Sequence, residues 1–193
     1  PYSSGTTGHP KGVMLTHRNL VANLQQVRAV IPTGEHDVLM GVLPFFHIYG
    51  MTVILNNALR SGATVVTMPR FDLETFLRLI EEHRVTRAFV VPPIALALAK
   101  HPLVDRFDLS SLDLVLSGAA PLGEELERAC AERLGCRVAQ GYGMTESSPV
   151  SHAIPHPGGL VRPGSIGPCV PNLECRIVDL ATGEDAPAGE PGE

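Results

Sequence analysis

A run of hydroxyl-bearing residues, glycines and one lysine lies near the start of this 193-residue chain. Residues 3–12 read Ser-Ser-Gly-Thr-Thr-Gly-His-Pro-Lys-Gly. Glycine permits close backbone approach, so that successive N–H groups can converge on an anion, while hydroxyls add neutral donors and a lysine adds a mobile positive charge. This combination predicts polyphosphate binding by Ser3, Ser4, Gly5, Thr6, Thr7, Gly8 and Lys11.

The spacing of this run differs from that of the phosphate loop in P-loop hydrolases and kinases. That motif requires a glycine directly before the lysine and a serine or threonine after it, whose hydroxyl holds magnesium. Here Pro10 precedes Lys11 and Gly12 follows it, so both positions fail. A surface turn rich in Ser, Thr and Gly is the structural alternative, but the length of the run favours a binding loop.

Four motifs resemble, in sequence and in order, those of adenylate-forming enzymes. This family includes acyl-CoA synthetases, coumarate-CoA ligases, firefly luciferase and peptide-synthetase adenylation domains. The motifs occupy residues 3–17, 44–50, 117–123 and 140–146, so the resemblance covers nearly the whole chain, and the last two look most like those of aryl- and acyl-CoA ligases. The resemblance implies an acid-thiol ligase of fatty-acid or phenylpropanoid metabolism that uses ATP, Mg²⁺ and coenzyme A.

The resemblance also assigns roles to individual residues. It implies that His47 acts as a gate between the carboxylate and nucleotide pockets, and that Tyr142 offers a ring face to adenine. Thr145 can then give a hydroxyl to the α-phosphate and Glu146 an oxygen ligand to Mg²⁺. Together with Lys11, we expect His47, Thr145 and Glu146 to be catalytic. The nucleotide would further contact Gly118, Ala119, Ala120, Gln140, Gly141, Tyr142 and Gly143.

The acid pocket is expected at His47, Tyr49, Val53 and Ala119, and Arg70 matches a basic position that resembles a CoA contact. Structural alternatives stay open: a histidine that is merely hydrogen-bonded, close strand-to-helix packing at residues 118–120, and an ordinary surface arginine. Many plant coumarate ligases have a lysine where this chain has Leu116, and often a small or polar residue in place of Val53. The pocket is therefore expected to be more apolar, which leaves aryl and fatty acids open.

Alternating apolar segments predict an α/β fold around a mostly parallel sheet. The expected strands are residues 38–43, 63–68, 87–91, 112–116 and 137–140. The expected helices are residues 51–60, 94–100 and 121–134, with two more capped by Thr16 and Asp72. Leu20, Val21, Leu24 and Val27 would form the buried face of the first helix. We expect a loop from 148 to 167 and a strand from 174 to 178.

We therefore predict an AMP/ATP-binding α/β core at residues 1–150, followed at 151–193 by a loop and the start of an incomplete β-rich subdomain. Position 1 enters the first motif almost at once, and residues 188–193 stop within a loop-like run. By resemblance, an upstream portion and a C-terminal catalytic domain would be absent. We expect the isolated chain to be inactive or weakly active.

Composition excludes several classes of function. The hydrophobic content of 44% supports a substantial core, and the formal net charge of −5 disfavours nucleic acid as a partner. No apolar run approaches the roughly 20 residues of a membrane span and no secretory signal opens the chain, so cytoplasmic localisation is expected.

Two alternatives to the ligase remain: a luciferase-like oxygenase that uses the same adenylate, and a non-catalytic nucleotide-binding module.

The cysteines lack the close spacing typical of a structural zinc site. Cys130 and Cys136 form one pair six positions apart, and Cys169 and Cys175 form another. No histidine cluster with metal-ligand spacing accompanies them. The spacing predicts reduced thiols that fill small spaces rather than metal ligands or disulfides.

Overall fold

The computed structural model describes residues 1–3, 9–158 and 162–193, and a six-stranded sheet lies at its centre. A separate two-stranded sheet consists of β1 Tyr2–Ser3 and β2 Lys11–Gly12. The six strands of the central sheet are β3 Val38–Gly41, β4 Thr64–Thr67, β5 Arg87–Val90, β6 Leu114–Ser117, β7 Arg137–Gly143 and β8 Val150–Ala153. Their order across the sheet is β4-β3-β5-β6-β7-β8. All neighbours are parallel except β7 and β8. The predicted α/β fold with a mostly parallel sheet is confirmed.

One α-helix precedes β3, and the others lie in the connections between the parallel strands. They are α1 His17–Val30, α2 Asn57–Ser61, α3 Leu73–His83, α4 Pro92–Lys100 and α5 Glu124–Leu134. The Thr16 side chain accepts from the Asn19 amide at the start of α1, and Asp72 accepts from the Thr75 amide at the start of α3. Both predicted caps are confirmed, because each satisfies an amide that the first helical turn leaves without a partner. None of the helices in the described ranges is long and apolar enough to cross a membrane.

Apolar side chains cover both faces of the sheet, as expected for parallel strands joined by helices. On one face, Met40, Ala88 and Val115 belong to the core formed with α3, α4 and α5. On the other face, Leu39 and Phe89 belong to the core formed with α1 and residues 49–58. The helices thus shield both faces and leave the carboxyl ends of the strands as the edge available for a ligand.

Three predicted helices differ from those observed. In α1, Leu24 and Val27 are buried as expected, but Val21 is 52% exposed. The buried face of this helix also includes Asn23 and Val30. Residues 49–56 form a π-helical segment that continues into the short helix α2, where one α-helix was expected. Helix α5 begins at Glu124 rather than at residue 121, because the buried amide of Gln140 hydrogen-bonds both the N–H and the C=O of Leu122 and keeps that residue outside the helix.

The strand predictions fail toward the C-terminal end. Strand β7 extends to Gly143 rather than ending at 140, because its last residues pair with β8. The prediction of a loop over 148–167 was therefore wrong at β8. The expected strand at 174–178 does not form, and Val178 instead belongs to an isolated bridge with Asp185.

Candidate active site

A cavity of about 240 Å³ opens where strands β6 and β7 end. It is bordered by α1, by the segment after β3 and by β8. Its polar and aromatic lining comes from Ser3, His47, Tyr49, Ser117, Tyr142, Thr145, Glu146 and His152. Its apolar lining comes mainly from Val27, Ile31, Ile48, Val53, Leu116, Val150 and Ala153. One side of the cavity can therefore receive an apolar group and another a polar one.

The ends of the first motif are held together beside this cavity. Strands β1 Tyr2–Ser3 and β2 Lys11–Gly12 form an antiparallel pair in which Ser3 lies opposite Lys11. Strand β1 also contacts the 3₁₀ turn Thr145–Ser147, and Ser3 lines the cavity. The first and last of the four motifs thus meet. Ser4, Gly5, Thr6, Thr7 and Gly8 lie outside the described residues.

Tyr49 forms a wall of the cavity and is locked in place by the backbone of two strands. Its hydroxyl donates to the Leu116 carbonyl at 3.1 Å and approaches the Val90 carbonyl at 3.5 Å. Burial raises the pKa of Tyr49 well above its usual range, which keeps the phenol neutral. A Cβ at Gly118 would lie 2.9 Å from the Tyr49 ring. Glycine at 118 is therefore what allows the ring to lie against the end of β6.

His47 lies exposed at the cavity lining, in the turn that follows β3. Its Nδ1 accepts from the Tyr49 amide at 3.3 Å, so Nδ1 carries the lone pair and Nε2 carries the proton in the neutral ring. The same turn requires Gly50, because a Cβ there would lie 2.3 Å from the Pro44 carbonyl oxygen. The turn fixes the imidazole next to Tyr49 and leaves its Nε2–H available as a donor.

The segment after β7 places the last motif along the cavity. A Cβ at Gly143 would lie 2.2 Å from the Pro149 carbonyl oxygen, so glycine allows the chain to fold back closely at this point. Thr145 is buried, whereas Tyr142 and Glu146 are exposed. Glu146 forms no ion pair with any residue in the described ranges, so its carboxylate is available to a cation.

Ala119 adopts a backbone conformation that is unusual for its type. Its φ of 70° lies in the left-handed region, which glycine adopts readily and other residues rarely. Such outliers concentrate at ligand-binding sites. This turn carries the backbone from β6 along the cavity lining at Gly118 and Ala119.

The whole chain, residues 1–193, matches the family model for AMP-binding enzymes. The chain belongs to this family. It is 50% identical to 4-coumarate--CoA ligase 1 of Solanum tuberosum over 201 residues, which cover 100% of the chain and 37% of that protein.

Solved structures of the family give the same result for the fold. The ATP-bound MatB structure from Rhodopseudomonas palustris superposes with a TM-score of 0.88 at 33% identity, over 98% of this chain and 37% of that one. The O-succinylbenzoate Coenzyme A synthetase of Bacillus subtilis, in complex with ATP and magnesium, gives 0.85 at 30% identity, over 100% and 39%. The chain thus spans a little over a third of the length of these relatives.

Several residues predicted for the nucleotide or CoA do not line the cavity. The Gln140 side chain is buried and hydrogen-bonded to Leu122. Ala120 is exposed beyond the cavity, and Arg70 is exposed in the connection between β4 and α3. Lys11 is exposed on β2. Within this AMP-binding domain, their assignments to ligands stay predictions.

Two polar residues were not identified from the sequence, namely Glu127, which lies outside the cavity lining, and His152, which belongs to it. Glu127 is buried on α5, where its Oε2 accepts from the Gly164 amide at 3.1 Å and from the Gln140 side chain at 3.3 Å. Burial raises the pKa of Glu127. Glu127 lies three positions before the buried Cys130, and residues at this spacing share one face of a helix, so the sequence could have indicated its burial. His152 lines the cavity on β8, with its ring centroid 6.1 Å from that of Tyr142.

Proposed function

We propose that this chain forms the nucleotide- and acid-binding core of an ATP-dependent carboxylate-CoA ligase. The observation that carries the proposal is the convergence of Ser3, His47, Gly118 and the 141–146 segment on one cavity at the carboxyl ends of the strands. In open α/β sheets, this edge is where ligands bind. Family membership and relatives named as CoA ligases support the reaction class.

The lining of the cavity favours an acid with an uncharged, apolar body. Val53 and Leu116 both contribute to the apolar wall. The Tyr49 hydroxyl is already hydrogen-bonded to the backbone, so its ring rather than its hydroxyl faces a ligand. An aryl or fatty acid would lose little solvation in such a pocket, whereas a second carboxylate would be left without a partner. We therefore assign aryl or fatty acids as the substrate class.

The proposed reaction begins when the carboxylate of the acid attacks the α-phosphorus of ATP. The bond to the pyrophosphate oxygen breaks, and an acyl-adenylate forms. The barrier is mainly electrostatic, because an anion approaches a polyanion, so positioned donors and charges are the main source of catalysis. Lys11 would neutralise the outer phosphates, the Thr145 hydroxyl would orient the α-phosphate, and the Nε2–H of His47 would donate to the reacting carboxylate.

One residue of the site, Glu146, has a side chain suited to binding magnesium. Glu146 offers an exposed carboxylate, and hard oxygen donors are the ligands that Mg²⁺ prefers. When bound, the ion would offset the negative charge of the phosphates.

In the second half-reaction, the CoA thiolate attacks the acyl carbonyl carbon and AMP leaves with the electron pair. No protein nucleophile is needed in either step. The assignment of Arg70 to CoA rests on the family resemblance alone.

Carboxylate-dependent exchange of labelled pyrophosphate into ATP tests the proposal. It would be measured on this chain and on a ligase chimera, defined as the Solanum tuberosum relative with its matching 201-residue region replaced by this chain. Cinnamate, benzoate and medium-chain fatty acids would be compared. We expect exchange in the chimera with at least one of these acids and weak or no exchange in the isolated chain.

Absence of exchange in a folded chimera that binds ATP would contradict the ligase proposal and favour a nucleotide-binding module. Light emission with oxygen, without acyl-CoA formation, would favour the oxygenase. Retention of the parent's acid preference would contradict the assignment of substrate choice to this cavity.

Lys11→Ala tests the role of the first motif. Removing the ammonium group should weaken ATP binding about tenfold or more and leave AMP binding nearly unchanged, because the charge is assigned to the outer phosphates. Lys100→Ala is the matched control, since Lys100 is an exposed lysine at the end of α4. Calorimetric titration of both nucleotides would measure the effect. Equal weakening of ATP and AMP would contradict the assignment.

A further inference from the structure

Three side chains with nitrogen and sulfur ligand atoms meet behind the cavity, namely His152, Cys169 and Cys175. We refer to them as the histidine-cysteine cluster. Their ligand atoms all lie within 4.8 Å of one another. The Nε2 of His152 is 3.3 Å from the Sγ of Cys169.

These separations are close to those of a tetrahedral metal site. With metal bonds of about 2.0 Å to nitrogen and about 2.3 Å to sulfur, neighbouring ligand atoms lie roughly 3.5–3.8 Å apart. Only small side-chain adjustments would bring the cluster to that geometry. The prediction from spacing alone, that these cysteines only fill space, overlooked His152, which lies 17 positions before Cys169 in the chain.

Backbone hydrogen bonds hold two of the three residues in register. His152 on β8 forms an antiparallel bridge with Cys169. The bridge is flanked by bonds from the Ala153 amide to the Pro168 carbonyl and from the Val170 amide to the Ser151 carbonyl. Directly opposed residues on antiparallel strands project their side chains to the same face. Cys175 is exposed, which gives an ion an entry path and leaves room for a solvent ligand.

A chain of hydrogen bonds through the Ser151 hydroxyl sets the tautomer of His152. The Ser151 hydroxyl donates its single proton to the Tyr142 carbonyl at 3.2 Å. It must therefore accept from the Nδ1 of His152, which lies 3.0 Å away. The Nε2 then carries the lone pair, and this is the atom that faces Cys169. Metal-ligating histidines use the same arrangement, with the second nitrogen donating to a fixed acceptor.

We propose that the histidine-cysteine cluster is a binding site for one zinc-class divalent transition-metal ion. One imidazole and two thiolates suit Zn²⁺ or Co²⁺ and do not suit Mg²⁺, so the site is chemically distinct from Glu146. Binding converts two thiols to thiolates and releases two protons, which leaves the Zn²⁺ dithiolate centre neutral. A water molecule completes the four ligands. The ion would join β8 to the 169–175 segment beside Tyr142.

Cobalt titration of the chain, kept reduced by a reductant that contains no thiol, tests the site. We expect one equivalent of Co²⁺ to bind, with sulfur-to-cobalt charge-transfer absorption that one equivalent of Zn²⁺ abolishes. Cys175→Ser and His152→Ala should each weaken binding by more than about 100-fold. Ser151→Ala should weaken it by about 10–100-fold, the range found when a metal-ligating residue loses its hydrogen-bond partner. Cys136→Ser, at a half-buried cysteine outside the cluster, is the matched control and should bind normally.

Circular dichroism would show that each variant folds. Cys175 is exposed, so its variant decides the question if His152→Ala does not fold. Absence of thiolate absorption in the unmodified chain would overturn the proposal. So would equal weakening in Cys136→Ser, or half an equivalent of metal bound by a dimer. No nucleotide or acid is present in this titration, so its result is independent of the ligase proposal.

Discussion

Gly118 lies where β6 ends, against the ring of Tyr49, and the apolar wall of the cavity depends on this contact. In Gly118→Ala, the added Cβ would meet ring carbons at 2.9 and 3.2 Å, so the ring must move and its hydrogen bond to the Leu116 carbonyl must lengthen. We expect a loss of about 1–3 kcal/mol in the free energy of unfolding. In the ligase chimera, we also expect weaker binding of the acid.

Gly34→Ala is the matched control for this change, because a Cβ at Gly34 would meet no atom within 4 Å. Urea unfolding of both variants would measure the difference in stability. An unchanged midpoint in Gly118→Ala, with unchanged acid affinity, would mean that Tyr49 is not held as described.

For individual residues, the sequence was most informative where a motif itself gives a steric or chemical reason for the residue type. Tyr49 and Thr145, which belong to two of the motifs, and Val53 all line the cavity. Their contacts with a ligand stay predictions. Gln140 was predicted to face the nucleotide, but an isolated glutamine gives no sign of its partner. The buried bonds to Leu122 depend on how α5 meets β7, which only the tertiary structure determines.

At the scale of elements, Glu127 joins α5 to β7 and to the segment that follows β8. Its pKa is raised mainly by burial, and the bonds from Gly164 and Gln140 only partly oppose this effect. Because the folded state holds the proton more tightly than the unfolded state, the contribution of Glu127 to stability is greatest below the ordinary glutamate pKa of 4.5. It falls as the pH rises toward the higher pKa of the folded state.

Glu127→Gln should therefore remove this dependence. We expect the difference in unfolding free energy between the variant and the parent to move in favour of the variant as the pH is raised from 4 to 8. Urea unfolding across this range would measure it. Glu125→Gln, at an exposed glutamate in the same helix, is the control. Parallel stability curves for Glu127→Gln and the parent would show that Glu127 does not titrate abnormally.

Element boundaries show what local patterns can and cannot predict. The caps at Thr16 and Asp72 were predicted correctly because capping depends on residues a few positions apart. Strand β8 was missed because prolines and glycines dominate residues 148–167, and only its pairing with β7 makes the segment extended. One helix was predicted at residues 51–60 because its apolar content does not distinguish an α-helix from the π-helical segment 49–56 that is observed.

At the scale of the whole molecule, the amino-terminal ends of the strands lie opposite the cavity, and the residues there contribute to stability rather than to ligand binding. The Asp37 carboxylate, just before β3, accepts from the Arg87 guanidinium at 2.8 Å, from the Thr86 hydroxyl and from the Gly34 amide. The Arg87 side chain is only 9% exposed. Removing its partner would leave a nearly buried charge uncompensated, which is far more costly than breaking a surface pair.

Asp37→Ala should thus lower the free energy of unfolding by about 3 kcal/mol, and nucleotide affinity of the remaining folded protein should be unchanged. Glu82→Ala, which breaks the exposed pair with Arg78, should cost less than about 1 kcal/mol. Thermal unfolding and nucleotide titration would measure the two effects. A stability loss in Asp37→Ala no larger than that in Glu82→Ala would contradict this division between the two ends of the strands.

The alternation of strands and helices was sufficient to predict the α/β architecture, because buried parallel strands and amphipathic helices have different apolar patterns. The position of the motifs directly after the strands then predicted a site at the carboxyl ends of the strands, and ligand binding there stays a proposal. The histidine-cysteine cluster was not predictable in this way. His152 and Cys169 become neighbours only through a bridge in a region without a periodic pattern.

The central claim is that one cavity binds both the nucleotide and the acyl group. Calorimetric titration of this chain with a non-hydrolysable cinnamoyl-adenylate analogue, with AMP and with cinnamate would test it most directly. We predict one site, with the analogue bound at least about 100-fold more tightly than either part, because linking two ligands makes the second contact intramolecular. Equal affinities for the analogue and AMP, or no binding of the analogue, would contradict the claim.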